Sequence, residues 1–166
     1  MPFDRASLLA GRNSAPLSDS EVVRVANTFI GLDREANFRH AAGEVTRCRV
    51  YVQGGETICE IVYGADIFPG TSVVDPNSSL SMRAAAAHEL SHFHRWRDKT
   101  ELDGEHLTEL DEALTSLDAV QRYQAHLNEN EVRQLVADAM QRLQAFAQRH
   151  LTAFATSAAP SSDTME

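Results

Sequence analysis

The segment HELSH, residues 88–92, places two histidines and a glutamate in the spacing H-E-x-x-H. An alanine run precedes it, and alanine has the highest helix propensity, so we expect a helix from roughly Ser79 to Asp98. Residues four apart lie on one helix face, so His88 and His92 can direct two imidazoles at one metal ion. Glu89 lies beside that face, where a bound water would sit. The spacing predicts a hydrolytic zinc site with Glu89 as general base.

A catalytic zinc site needs a third protein ligand, and three carboxylates after His92 are candidates. Asp98 has the position of the third ligand in metzincins, but Arg95 replaces the glycine of that pattern. Asp103 has the position of the ligand aspartate in aspzincins, without the rest of that motif. Glu112 lies in LDEALTSL, which resembles the N-E-x-x-S-D signature of gluzincins such as the thermolysins. We expect Glu112 to be the ligand, with Asp98 and Asp103 as alternatives.

The chain after the zinc helix also favours Glu112 on physical grounds. Residues 99–106, KTELDGEH, can reverse the chain, and the following T-x-x-D spacing can cap a helix whose first turn contains Glu112. One turn later, Ser116 takes the place of an aspartate that orients a ligand histidine in gluzincins. We therefore expect Ser116 or Asp111 to contact a ligand side chain on the side that faces away from the metal.

Other polar side chains near the motif are candidates for stabilising an oxyanion. His106 lies in the predicted loop and is the candidate for an oxyanion or substrate contact. Tyr123 and His126 share a helical face with Glu112, but an unbroken helix would place them roughly 16 and 21 Å away along its axis. His94 points away from the ligand face, so we expect it to be solvated or hydrogen-bonded.

An amino-terminal helix and a β-hairpin precede the zinc helix in the predicted fold. SDSE has the spacing of a capping box, which predicts a helix from Ser18 to about Asn37. Two β-rich runs flank Gly54 and Gly55, which suit a two-residue turn with Arg49 opposite Glu60. In that register one face, which we assign to the core, contains Cys48, Val50, Val52, Cys59 and Ile61.

The two cysteines are predicted to be free thiols. Two are too few for a disulfide framework, and Cys48 and Cys59 are diagonal in the hairpin register, too far apart for easy bonding. A peptide deformylase-like site, with a cysteine as third ligand, would require Cys48 or Cys59 to reach the metal.

The remaining elements complete a minimal α+β fold. TSVVDP, residues 71–76, predicts an edge strand or a strand end, because proline cannot donate to a ladder. NENE, residues 128–131, predicts the start of a long amphipathic helix that packs on the core or forms a dimer or regulatory interface. We divide the chain into a flexible segment 1–17, one domain 18–156 and a disordered tail 157–166.

Composition limits the cellular context and the partners. The chain has 166 residues, 43% of them hydrophobic, and no apolar run approaches the roughly 18 residues that span a bilayer. The first residues lack a secretory signal, so we expect a cytoplasmic protein with no membrane contact. A net charge of -9 disfavours nucleic acid as partner. A protein or peptide substrate is expected.

Residues 79–118 resemble the two-helix zinc site of small gluzincin domains, including the ImmA/IrrE-type peptidases, whose H-E-L-x-H segment is similar to HELSH. The resemblance implies an α+β peptidase with zinc on His88, His92 and Glu112, which hydrolyses a protein substrate bound along an edge strand, here TSVVD. Two alternatives remain: another zinc hydrolase, and a non-catalytic, zinc-stabilised module that binds a partner.

Overall fold

The computed structural model describes residues 11–72 and 76–157 of the chain. The fold is α+β, as predicted: helices surround a small three-stranded sheet. The elements in chain order are α1 (Asp19–Leu32), β1 (Phe38–His40), β2 (Arg47–Gln53), β3 (Glu56–Tyr63), α2 (Pro76–Ser79), α3 (Met82–Arg97), α4 (Thr108–Tyr123) and α5 (Glu129–Ser157). Short 3-10 turns follow β3 and precede α4. In the described ranges, no helix is long and apolar enough to cross a membrane.

Helix α1 begins with the predicted capping box. The Ser18 hydroxyl accepts from the backbone N–H of Glu21, and the Glu21 carboxylate accepts from the backbone N–H of Ser18. The predicted end near Asn37 is wrong, because α1 ends at Leu32. Asp33 adopts an extended backbone and its carboxylate accepts from the next turn, which breaks the helix early enough for β1 to form.

The hairpin has the predicted register. Gly54 and Gly55 both have positive φ, 59° and 82°, as a tight two-residue turn requires, and Arg49 pairs with Glu60. Strand β1 pairs with β3 in parallel, which gives the order β1-β3-β2. The third strand therefore precedes the hairpin. Of the edge strand expected at 71–76, residues 73–75 lie outside the described residues, 71 and 72 are not in a strand, and α2 begins at Pro76.

The predicted core face of the hairpin is only partly buried. Cys59 and Ile61 are buried, but Val50 and Val52 are 48% and 70% exposed, so the prediction is wrong for these two valines. Burial decreases along both strands toward the turn, because the turn end extends past the helices. The central core combines α1, β3, α3 and α5, with Val25, Phe29, Ile61, Tyr63, Ile67, Leu90 and Leu135 among its buried residues.

Arg12 fixes the chain before α1. Its buried guanidinium donates to four backbone carbonyls, those of Asp66, Ile67, Asn77 and Leu80. The backbone also passes close to Gly70, where a Cβ would overlap the carbonyl oxygen of Gly11. Residues 11–17 belong to the segment that we expected to be flexible, and Arg12 anchors them to the turns after β3 and before α3.

Helix α5 is the long carboxyl-terminal helix that the sequence predicts. Asn128 and Glu131 form a reciprocal cap at its start, and Leu135 and Ala139 are buried against the core and α4. The helix continues to Ser157, and residues 158–166 of the predicted tail lie outside the described residues.

Candidate metal centre

Three predicted ligands converge between α3 and α4. His88 and His92 lie one turn apart on α3, and Glu112 lies near the start of α4. Nε2 of His88 is 3.1 Å from Oε2 of Glu112, and Nε2 of His92 is 3.4 Å from Oε1. One donor atom from each residue lies within 4.8 Å of the others. Two imidazole nitrogens and one carboxylate form a donor set typical of catalytic zinc.

Hydrogen bonds on the Nδ1 side of His88 fix which ring nitrogen carries the proton. Oγ of Ser116 lies 2.8 Å from Nδ1 of His88 and 2.6 Å from Oδ2 of Asp138, whose carboxylate is paired with Arg142. That carboxylate can only accept, so Ser116 donates to it and accepts from Nδ1–H of His88. In the neutral ring Nε2 then carries a lone pair directed at Glu112. Two acceptors 3.1 Å apart need a proton or a metal cation between them, so these residues fit a bound metal.

Charge also favours a cation between the ligands. Burial opposes protonation of His92, but the negative charge of Glu112 and its hydrogen bond raise the pKa of His92 to about 9. Burial has the opposite effect on Glu112, yet His92 and His88 hold the pKa of Glu112 well below its ordinary value. The metal-free site therefore holds a proton on His92 beside an ionised carboxylate, and a divalent cation would displace that proton.

Glu89 borders the same space with an unsatisfied oxygen. Its Oε2 is buried and has no hydrogen-bond partner in the part of the chain that the structure describes. Glu89 lines a cavity of about 200 Å³ together with His88, His92 and Glu112. A buried carboxylate oxygen without a partner is costly unless a water or ligand reaches it. Glu89 therefore has the position of a group that acts on a molecule in the cavity.

Asp111 supports His92 indirectly. Its carboxylate accepts from Arg95 and from the backbone N–H of Leu102, at 2.8 Å each. Arg95 also donates to Oγ1 of Thr115, which lies 3.5 Å from Nδ1 of His92. A carboxylate oxygen of Asp111 lies within 4.8 Å of a ring nitrogen of His92. Asp111 thus positions the loop and the start of α4, whereas Ser116 touches a ligand directly.

The other sequence candidates lie elsewhere. Asp98 ends α3 and pairs with Arg97, and Asp103 is exposed in the following loop. His106 is exposed in a 3-10 turn and, among the described residues, is not part of the cavity lining. His94 is buried and its Nε2 lies 2.6 Å from Asp33, which links α3 to the end of α1.

Asp138 and Arg142 are two residues of the site that the sequence patterns did not reveal. Arg142 lines the cavity, and its Nη1 lies 3.6 Å from Oε2 of Glu112. Both residues occupy the apolar stripe of α5, in the i, i+3, i+4, i+7 series that begins with Leu135. Their charges within an apolar stripe could have indicated a role in a site, because a buried charge needs a specific partner.

The two cysteines are much closer than we predicted. Their Sγ atoms lie 2.9 Å apart, although both are free thiols. The expectation that they are too far apart is wrong, because strand twist brings one pair of diagonal neighbours closer than a flat ladder would. Within the described ranges, neither Cys48 nor Cys59 belongs to a group of possible metal ligands.

Comparison with known proteins gives no relative: no protein-family model matches the chain, and neither does any curated protein or solved structure.

Proposed function

We propose that this protein is a zinc-dependent peptidase. The observation that supports this most strongly is the convergence of His88, His92 and Glu112 in a cavity that Glu89 also lines. Among the described residues, the buried Oε2 of Glu89 has no hydrogen-bond partner. Zinc held by the three ligands would polarise a water molecule and a substrate carbonyl. Residues of β2, an edge strand of the described sheet, line the cavity, which favours an extended peptide as substrate.

Glu89 is the proposed general base and acid. It accepts the proton of the attacking water and returns it to the leaving amine. Its position one residue after His88 on a rigid helix keeps the carboxylate at the cavity wall. Ser116 and Asp138 keep Nδ1 of His88 protonated, so that Nε2 remains free for the metal.

Arg142 replaces His106 as our candidate for stabilising negative charge. Its guanidinium is buried at the cavity wall, held by Asp138 and 3.6 Å from Glu112. A preorganised cation at the edge of a site can stabilise an oxyanion without reorganising during the reaction. His106, in contrast, is exposed and would have to move.

Strand β2 replaces TSVVD as the proposed substrate-binding edge. It pairs with β3 on one side only, among the strands that the structure describes. The cavity lining includes Arg47, Cys48 and Val50 of β2 and residues 45 and 46 before the strand. An extended peptide can add to this edge through backbone hydrogen bonds, and the exposed Val50 offers apolar contact to a substrate side chain.

Metal content and cleavage together test the proposal. We would purify the full chain without a histidine tag and measure zinc by elemental mass spectrometry in wild type, His92→Ala and Glu112→Ala. A peptide library, analysed by mass spectrometry, would then be incubated with wild type and Glu89→Gln. We expect one zinc per chain in wild type, loss of zinc in both ligand variants, and cleavage that Glu89→Gln abolishes while it keeps its zinc.

Different failures have different meanings. A wild type that binds no zinc after reconstitution contradicts the whole proposal. Zinc binding with no cleavage of library peptides favours the non-catalytic module. Cleavage that persists at the wild-type rate in Glu89→Gln would exclude Glu89 as the base.

A further inference from the structure

Cys48 and Cys59 form a thiol pair at the wall of the candidate metal centre. Cys48 lies opposite Ile61 and Cys59 lies opposite Val50, so the cysteines are diagonal neighbours across β2 and β3. Their Sγ atoms are 2.9 Å apart. A disulfide has an S–S distance of about 2.05 Å, so bond formation needs the two sulfurs to approach by less than 1 Å.

The two thiols differ in access. Cys48 is half-buried and lines the cavity, whereas Cys59 is buried behind it. A small oxidant that enters the cavity therefore meets Cys48 first. Any oxidised form of Cys48 then has Cys59 in contact, in the position of a resolving thiol.

We propose that Cys48 and Cys59 are a redox modification site, which a peroxide converts to an intramolecular disulfide and which a dithiol reductant restores. The Cys48 sulfur attacks one oxygen of hydrogen peroxide, the O–O bond breaks, and Cys48 sulfenic acid is formed, while the departing hydroxide takes the Cys48 thiol proton and leaves as one water. The Cys59 sulfur then attacks the sulfenic sulfur, and the S–O bond breaks. The oxygen leaves as a second water with the Cys59 proton. Two thiols lose two electrons and two protons, and one peroxide gains them.

This inference does not depend on the proposed peptidase activity. The thiols are absent from the groups of possible metal ligands in the described residues, and the disulfide would form on the hairpin alone. It would join β2 to β3 next to the cavity, because Cys48 belongs to the strand that forms one of its walls.

Intact-mass measurement tests the proposal. The full chain would be incubated with hydrogen peroxide in the presence of a chelator, treated with catalase, unfolded and alkylated with N-ethylmaleimide. We expect wild type to lose both maleimide adducts and about 2 Da, and to regain both adducts after dithiothreitol. Cys59→Ala, which lacks the resolving thiol, is expected to gain one or two oxygen atoms at Cys48 instead.

Three results would overturn the proposal: wild type that keeps both adducts, wild type that gains oxygen as Cys59→Ala does, or disulfides between two chains. Formation of the intramolecular disulfide at a rate independent of protein concentration would support it. Circular dichroism of Cys59→Ala before oxidation shows whether that variant is folded, and Cys48→Ala, which removes the accessible thiol, provides the matched second variant.

Discussion

Asp138 is joined to His88 through a single hydroxyl group, that of Ser116. The carboxylate of Asp138 is fully buried on α5, and the Ser116 hydroxyl donates to it while accepting from Nδ1 of His88. Ser116 therefore links a histidine on α3 to a carboxylate on α5. The bridge fixes the tautomer in which the opposite ring nitrogen, Nε2, is directed at Glu112.

Removal of that bridge should weaken metal binding. In Ser116→Ala, Nδ1 of His88 loses its acceptor, and loss of such an outer contact lowers zinc affinity by about 10- to 100-fold. Competition with a chromophoric chelator measures the dissociation constant. Thr28→Ala is the matched control, because it removes an exposed helical hydroxyl outside the cavity. Equal affinities in the two variants would contradict the role of Ser116.

Substitutions of Asp138 and Arg142 should have strongly non-additive effects on the unfolding free energy. Asp138→Asn leaves the buried Arg142 with only its longer, 3.6 Å contact to Glu112. Breaking a buried pair on one side costs about 3 to 5 kcal/mol of unfolding free energy. The double variant Asp138→Leu with Arg142→Met should recover much of that loss, because no unpaired charge remains. Urea unfolding of Asp138→Leu, Arg142→Met and the double variant gives the coupling energy. Additive effects would show that the pair is not a unit.

The stability of the metal-free protein should depend on pH through His92. Its pKa in the folded state is about 9, above the ordinary 6.5, so its stabilisation is complete below about pH 6.5 and is lost as the pH rises through 9. Glu112 has a lowered pKa, so its stabilisation is present above its ordinary 4.5 and is lost as the pH falls. The pair therefore stabilises the fold most between pH 4.5 and 6.5.

Urea unfolding in a chelator should show this dependence. The difference in unfolding free energy between wild type and His92→Gln should be largest near pH 6 and should shrink toward pH 9. His106→Gln removes an exposed histidine and should show no such trend. A difference that grows between pH 6.5 and 9 would contradict the raised pKa.

Two arginines near the end of α3, one buried and one exposed, should differ in their contribution to the unfolding free energy. Arg95 is 5% exposed and contacts Asp111, Thr115 and the Thr100 carbonyl, whereas the Arg97 side chain is 47% exposed and pairs with Asp98. Arg95→Met should lower the unfolding free energy by about 3 to 5 kcal/mol, because it leaves Asp111 without its buried partner. Arg97→Met should cost at most about 1 kcal/mol. Urea unfolding measures both, and equal losses would contradict the assigned role of Arg95.

The parts of the fold that depend on local chemistry could be predicted from the sequence. The capping box at Ser18, the turn at Gly54 and the alanine-rich helix α3 each follow from neighbouring residues. The approach of Glu112 to His88 needed only one further fact, that the loop between their helices reverses the chain.

The remaining features depend on tertiary contacts. Strand β1 has three residues and gains its hydrogen bonds only from β3, so periodicity could not reveal it. The contact between Cys48 and Cys59 depends on strand twist, and the pairing of residues between two strands does not determine that twist. Asp138 and Arg142 lie on α5, and sequence patterns do not show where α5 packs relative to the site.

Because α5 lies late in the chain, the residues of the candidate metal centre become available in a fixed order. Arg142 follows His92 by fifty residues in the chain, so at roughly 5 to 20 residues per second the two histidines leave the ribosome several seconds before Arg142 does. If the proposed metal site is correct, the histidines and Glu112 would be open during that interval to any ion that prefers nitrogen ligands. Docking of α5 then fixes the tautomer of His88 through Ser116 and Asp138. Selection among bound ions by the proposed site would therefore wait until α5 has been synthesised.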